Sequence, residues 1–299
     1  MKKLRLGIIG ISPGNGHPYS WSAIFNGYNP KIMENCGFPV IPRYLENQIF
    51  PNDCISNAEV THIWTQNKKI SRHIADATNI KYVVNEYEDL ISKVDAILLA
   101  RDDSENHLKF ATPFLNAGLP IYIDKPLALS IKSAKKILSL QKYSGQIFSC
   151  SALKFADELS LNKEQLSSVG KIKNIHGYIS KDWDKYSIHI IDPIMKIISK
   201  NETIIKSQKW HNNGYSCLDL KLSSHINIKL ETYGSGIIPM GIKIVGEKSY
   251  KDLIFKNTFQ AFKNTLNEFI LSITSKSNRI DEEQMLKVIS WIEEGRKIK

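Results

Sequence analysis

The stretch VDAILLARDDSENHLKFATPFLNAGLPIYIDKPLALS, residues 94–130, constrains the fold more than any other part of the chain. Two short apolar runs, AILLA and PIYI, flank a segment of helical periodicity, and each run ends in a polar turn. Continuous apolar runs of this length read as strands buried on both faces, and strands alternating with helices pack as a parallel sheet between helical layers. The intervening helix is predicted to start at Ser104 as N-cap, to carry Leu108, Ala111 and Leu115 on one face, to kink at Pro113 and to stop at Ala117 and Gly118. A second helix follows from Ser130 to Gly145, with Ile131, Ala134, Ile137 and Leu138 toward a core. KKLRLGIIGI and AEVTHIWTQ supply two more strands of the same kind. The basic start of the first of these has the outline of a signal peptide, but its glycines, Pro13 and the lack of a small-residue cleavage site favour a strand. Lys125 stands at the carboxyl end of its strand, where open parallel sheets bind their ligands, and Arg101 stands at the end of another. One cation there suits a pyrophosphate or an acidic substrate.

LGIIGISPGNGHPYSW, Leu6 to Trp21, opens as a phosphate-cradling turn and then leaves the pattern. A dinucleotide turn reads G-x-G-x-x-G. Here Gly10 takes the first place and Ser12 the second, while Gly14 and Gly16 arrive out of register around Asn15. Gly10, Ser12, Gly14 and Gly16 are still predicted to give a pyrophosphate backbone access at a helix N-terminus, with NGHPYSW available to a second ligand. An acid about 20 residues past the glycines ordinarily binds the ribose hydroxyls. The second strand of this chain comes late, with Thr65 at its end 55 positions after Gly10, and neither Thr65 nor Gln66 is acidic. Thr65 is able to bond a ribose hydroxyl; Lys68, Lys69 and Arg72 close behind suit a 2'-phosphate, a lean toward NADP over NAD. The delay is filled by residues 22–58, whose four prolines with Tyr28, Arg43 and Tyr44 mark either a compact insertion beside a ligand or an elaborated surface hairpin.

Past Phe148 the texture changes. IFSCSALKF, IKNIHGYIS, YSCLDLKLSSHINIKLETYG and MGIKIVGEK alternate apolar and polar residues, as antiparallel strands with one wet face do. A helix from Ser187 to Ser199 interrupts them, and amphipathic segments at 257–275 and 281–297 close the chain. The fold class is therefore α/β, an N-terminal Rossmann-type parallel sheet over residues 1–125, with the insertion at 22–58, and a C-terminal α+β domain over 126–299 with a large, mostly antiparallel sheet.

YIDKPLALS resembles the junction of the glucose-fructose oxidoreductase and inositol dehydrogenase (Gfo/Idh/MocA) family, which typically reads EKPLALT, with Asp124 in place of glutamate. Residues 94–130 follow that family's strand, ATPNSLH-type loop, helix and lysine strand in unbroken order. The resemblance implies a bound NAD or NADP, a catalytic Lys125, Asp124 and Pro126 beside the cofactor, a cis Lys125–Pro126 bond, and the loop 101–107 with Arg101 over the cofactor. It also implies a homo-oligomer, dimer or tetramer, formed through the C-terminal sheet. The family's D-x-G-x-H-x-x-D segment is matched by DWDKYSIHIIDPIM. His189 and Asp192 keep their places; Lys185 and Ser187 stand where aspartate and glycine are usual, and Asp184 and Tyr186 are stand-ins for the missing acid. In a helix Lys185, His189 and Asp192 share one face. His189 then takes the proton leaving a hydroxyl, Lys125 stabilises the developing alkoxide, and Lys185, Tyr186 and Asp192 bind substrate. An ammonium one turn from His189 favours the neutral imidazole. The plainer alternatives are a hydrogen-bonded core histidine at 189 and a solvated helix cap at 101–107.

Composition narrows the partners. The 299 residues carry a formal charge of +10, but the lysines are scattered and no aromatic residues interleave with a basic stripe, which argues against nucleic acid and for anionic small molecules. No run reaches the length of a membrane helix. Cys36, Cys54, Cys150 and Cys217 lie far apart without a C-x-x-C pair, as reduced thiols in a cytoplasm do, and no metal site is predicted. The leading function is an NAD(P)-dependent oxidoreductase acting on a hydroxyl of a sugar, nucleotide sugar or cyclitol. The alternatives are a non-catalytic dinucleotide- or sugar-binding relative, favoured by Lys185 and Ser187, and a redox-neutral user of bound NAD that epimerises or cleaves a glycoside.

Overall fold

Six parallel strands, β1 (Leu4–Gly10), β2 (Ala58–Thr65), β3 (Tyr82–Val83), β4 (Ala96–Leu99), β5 (Ile121–Ile123) and β6 (Ile147–Phe148), lie in the order β3-β2-β1-β4-β5-β6. The computed structural model describes residues 3–296. β4 and β5 are buried along their whole length, as their unbroken apolar sequences require. Strand order reverses between β1 and β4, where Ile9 and Leu99 are partners in register. A sheet wound this way opens a crevice outside the carboxyl ends of those two strands. The loops after Gly10 and Leu99 meet there.

The second sheet contains β7 (Ile172–Ile179), β8 (Ile204–Asn212), β9 (Tyr215–Leu222), β10 (Asn227–Thr232), β11 (Gly241–Gly246) and β12 (Tyr250–Ile254). Its order is β12-β11-β7-β10-β9-β8; β7 and β10 run parallel and every other pair antiparallel. One face is covered by helices Ile188–Ile194 and Glu282–Arg296. Gly177 lets the first of them close on β7, since a β-carbon there would stand 3.1 Å from Ile190 and Ile194. The second seats Gly295 on the Trp183 ring, whose Nε1 donates to the Ile292 carbonyl at 2.9 Å. A methyl group at Gly295 would lie 2.0 Å from Trp183. Gly295→Ala is expected to lower stability by about 1–3 kcal/mol in urea unfolding, the usual cost of overpacking; an unchanged midpoint would show that this helix end is loose.

On the opposite face Glu231 is buried beneath its own hydrogen-bond partners: Tyr215, His176, the Tyr233 hydroxyl at 3.1 Å and the Lys229 ammonium at 3.1 Å. Burial alone would raise this carboxyl, but donation from Tyr215, Lys229 and His176 prevails and holds it down at about 2. A depressed folded pKa stabilises fully above the unfolded value and is lost as pH falls through the folded one. The stability difference between wild type and Glu231→Gln is therefore expected to be constant above about pH 5 and to shrink from there toward about pH 2, the opposite sign from a buried, unpaired acid. Urea unfolding across that range checks it.

The chain divides into two units, and each is described by itself. The first takes in the chain up to Ala128, then Lys135–Ser149 and Phe262–Ile280; the second takes in Leu129–Ala134, Cys150–Ala261 and the chain from Asp281. This differs from a single cut at 125/126. β6 pairs parallel with β5, and Phe269 from helix Thr258–Thr274 packs on Tyr122 and Phe148, so later segments return to the first core. IFSCSALKF is accordingly not an antiparallel strand: Ile147 and Phe148 end the first sheet and Ala152–Phe155 is a 3-10 turn. The helix expected from 130 to 145 is Ile131–Leu138, and that expected from 187 to 199 is two short pieces, Trp183–Tyr186 and Ile188–Ile194. The helix predicted from Ser104 starts at His107, after a 3-10 turn at Ser104–Asn106. The closing helices are Thr258–Thr274 and Glu282–Arg296; the last expected position, 297, lies outside the described residues. Residues 27–57 form no strand and so no hairpin; they carry the helical turns Pro30–Met33 and Val40–Leu45. Among the described residues no helix is long and apolar enough to cross a membrane.

Candidate active site

The glycine loop is shaped by contacts its own sequence does not announce. A β-carbon at Gly10 would lie 2.3 Å from Pro18, and one at Gly16 would strike Ile41 and Phe38, so these two glycines are needed for packing. Gly14 differs. Its φ is +79°, and nothing lies within 4 Å of where its β-carbon would stand. Asn15 and His17 then converge on Asp124, which is 1% exposed: Asn15 Nδ2 donates to Oδ2 at 2.8 Å and His17 Nδ1 meets the same oxygen at 2.5 Å. Oδ1 accepts the Lys125 backbone N–H at 2.8 Å. Burial would raise the Asp124 carboxyl, but His17, Lys125 and Asn15 outweigh it and hold it far below the usual carboxylate range.

The first turn of helix His17–Asn26 has few donors left over. Pro18 has no N–H, the His17 N–H goes to Asn15 Oδ1 at 2.7 Å, and the Tyr19 N–H goes to the Gly16 carbonyl at 3.0 Å. The open backbone of this loop is thus at Gly14 rather than at the helix N-terminus. That opening leaves room for a dinucleotide's pyrophosphate beside the loop.

Ser12 is turned away from the loop. Its hydroxyl donates to Asp102 Oδ1 at 2.7 Å and accepts the Asp102 N–H at 3.1 Å. Asp102 Oδ2 lies 3.7 Å from Lys125 Nζ, and Lys125 is only 5% exposed. Arg101 is likewise buried. It forks onto Asp103 at 2.9 and 2.6 Å, donates to the Ile11 carbonyl and Gln66 Oε1 at 3.0 Å each, and lies over the Phe110 ring. The guanidinium thus ties three loops together. Gln66 completes the tie by bonding both backbone groups of Ile11. Thr65 is also engaged internally, bonding the Asn67 carbonyl at 2.7 Å and Ser71 Oγ at 2.9 Å where helix Lys68–Ala77 begins. The Lys125–Pro126 bond is cis, as the family resemblance implied.

In the second unit the helical pieces Trp183–Tyr186 and Ile188–Ile194 present Lys185, Tyr186 and His189, all half-buried. Tyr186 accepts from Lys181 Nζ at 2.6 Å and its ring lies 5.6 Å from that of His189. His189 Nδ1 meets the Ser151 hydroxyl at 2.8 Å. Asp192 is buried; its Oδ2 accepts the Ser151 N–H at 2.9 Å and its Oδ1 pairs with Lys154 Nζ at 3.2 Å. Asp192 thereby anchors Ser151 and Lys154. Lys154, which the sequence reading missed, has its ammonium raised despite the opposing effect of burial, because Asp192 faces it. Gln66 and Ser151 were also missed, and Asn15, His17 and Asp102 entered only as parts of their loops, without these partners. Each is an ordinary polar residue whose partner is remote in sequence, except that an Asn and a His inside a glycine loop are a signal in themselves.

None of the four cysteines is in a disulfide, and among the described residues no group of acidic, histidine and cysteine side chains could hold a metal. Residues 43–151 match the family model described as the GFO_IDH_MocA oxidoreductase family, NAD-binding Rossmann fold. No curated protein matches the chain. Among solved structures it is similar to scyllo-inositol dehydrogenase from Lactobacillus casei with bound cofactor NAD(H) and scyllo-inositol, at 15% identity and a TM-score of 0.73 over 97% of this chain and 95% of that one. It is also similar to myo-inositol 2-dehydrogenase from Lactobacillus plantarum, at 15% identity and a TM-score of 0.71 over 97% and 95%. UDP-N-acetylglucosamine 3-dehydrogenase from Acidithiobacillus ferrooxidans aligns over 99% and 97%, at 12% identity and a TM-score of 0.71. At such identities the likeness is one of fold. Over residues 43–151 the chain resembles the Gfo/Idh/MocA family of NAD-binding oxidoreductases.

Proposed function

We propose that the chain is an NAD(P)-dependent oxidoreductase acting on a hydroxyl-bearing carbon of a sugar, nucleotide sugar or cyclitol. The observation that carries this reading is Lys125, a buried lysine at the carboxyl end of β5, beside the glycine loop of an NAD-binding family's sheet. The nicotinamide, when bound, takes up or gives the hydride. Gly14 supplies backbone access for the pyrophosphate, and Gly10, Ser12, Gly16, Arg101 and Asp124 hold the loop in shape for it. Lys125 is assigned to the oxygen of the reacting carbon, which gains negative charge as hydride departs. His189 is assigned to the substrate's oxygen chemistry within its own unit, and Lys185 and Tyr186 to substrate binding. Asp192 acts at one remove, by holding Ser151.

No acid follows β2, and Lys68, Lys69 and Arg72 do, which supports NADP over NAD. The substrate is carbohydrate-like, with no part for nucleic acid or a membrane. We place the protein in the cytoplasm as a dimer or tetramer formed through the second sheet. The test is a fluorescence titration with NADH and NADPH, followed by nicotinamide absorbance against a panel of cyclitols, aldoses and nucleotide sugars. Silence toward both cofactors sinks the reading. Binding without turnover on any of the panel favours the non-catalytic relative, to which Lys185 and Ser187 point, and cofactor that co-purifies and cycles without net change favours the redox-neutral one.

A further inference from the structure

The hydrogen bonds of one serine determine what His189 presents to a ligand. Ser151 is 0% exposed, so its hydroxyl proton has no access to water and needs an acceptor within the protein. Besides its carbonyl, which accepts the Lys154 N–H at 3.1 Å, three contacts engage it. Its backbone N–H donates to Asp192 Oδ2 at 2.9 Å, its Oγ accepts the Leu153 N–H at 3.1 Å, and its Oγ lies 2.8 Å from His189 Nδ1. The Leu153 N–H can only donate, so Nδ1 is the acceptor on hand for the hydroxyl proton. Nδ1 then carries a lone pair, and the proton of the neutral ring sits on Nε2.

We infer that Ser151 fixes His189 as the Nε2–H tautomer, so that the histidine meets its substrate as a hydrogen-bond donor. This deepens the proposed function and rests on it for the identity of the ligand. A neutral imidazole donating through Nε2 recognises an oxygen that accepts, and the strongest such acceptor among the oxidised and reduced forms of a sugar or cyclitol is the carbonyl of the keto form. The resting site is set to receive a ketone, and the assignment of His189 as the base that takes the hydroxyl proton is replaced by one of carbonyl recognition.

The remainder of the network serves this one bond. Asp192 holds the Ser151 backbone, Lys154 pairs with Asp192, and Lys154 Nζ in turn donates to Gln284 Oε1 at 2.9 Å. A carboxylate directly behind the ring would accept Nδ1–H and leave Nε2 basic. Here the carboxylate is displaced by one residue and a hydroxyl stands between, which reverses the polarity of the ring. Ser151 is thus a positioning residue for His189.

The test is the imidazole nitrogen spectrum of protein labelled with 15N-histidine, recorded at about pH 9, above the ordinary imidazole range. His189→Asn identifies the His189 signals among the 8 histidines. The wild type is expected to show one His189 tautomer, with the proton on Nε2. Ser151→Ala is expected to lose that single state and give a mixture, and Ser151→Thr, which keeps the hydroxyl, to restore it. A proton on Nδ1 in the wild type, or a spectrum unmoved by Ser151→Ala in a protein that still folds, overturns the inference. The result is independent of turnover. A confirmed Nε2–H with full activity in His189→Ala would sink the functional reading and leave the tautomer standing.

Discussion

Lys125→Ala is expected to lower turnover by about a hundredfold or more while leaving NADH or NADPH affinity within a few-fold of wild type, the range usual for a lost acid-base or oxyanion-stabilising group. The backbone of Lys125 is held by the Asp124 carboxylate, and Asp124 is held by Asn15 and His17, none of which involves the ammonium. Truncation at 125 therefore removes the charge and spares the loop. Asp102 loses a cation 3.7 Å away but keeps both bonds to Ser12, so the fold survives. Lys125→Arg restores the charge in a different shape and is expected to recover only part of the activity. Steady-state kinetics beside a fluorescence titration separate the two quantities. Unchanged turnover on a substrate that the native protein converts would move the chemistry to other residues.

Asp192→Ala is expected to destabilise the protein by about 3–5 kcal/mol, because it leaves the Lys154 ammonium buried and unpaired. Asp192 and Lys154 are both buried, and the same substitution frees the Ser151 N–H. Asp192→Asn keeps an acceptor for Ser151 but removes the charge, and is expected to fall between the two. Urea unfolding measures both. A loss below about 1 kcal/mol for the alanine variant would class the pair with solvated surface ion pairs, and the anchor assigned to Asp192 would be withdrawn.

The first sheet was legible because its strands are apolar runs with punctuated ends, and β1, β2, β4 and β5 fall where those runs are. β3 and β6 were not, since strands as short as Tyr82–Val83 and Ile147–Phe148 leave no period to read, and Phe148 is held by Tyr122 and Phe269, far away in sequence. Residue types at the site were legible and their duties were not. Lys125 and His189 stood out through position and resemblance, but nothing local tells that Arg101 turns back onto Asp103, that Thr65 bonds Ser71, or that Asp192 faces Lys154. Ser12 is the clearest instance. It departs from the glycine pattern for a reason found 90 residues away, in the carboxylate of Asp102. Only the fold brings the two residues together.

The central claim is hydride transfer, and transfer of a label tests it most directly. NADH and NADPH carrying deuterium at C4 of the nicotinamide, in separate preparations for each face of the ring, are incubated with the protein and the keto forms of cyclitols and sugars, and the products are read by mass spectrometry. One face is expected to deliver deuterium to the carbon that becomes hydroxyl-bearing, and His189→Ala and Lys125→Ala are each expected to slow the label's appearance. Cofactor that binds, with no label reaching any carbon from either face, would contradict it.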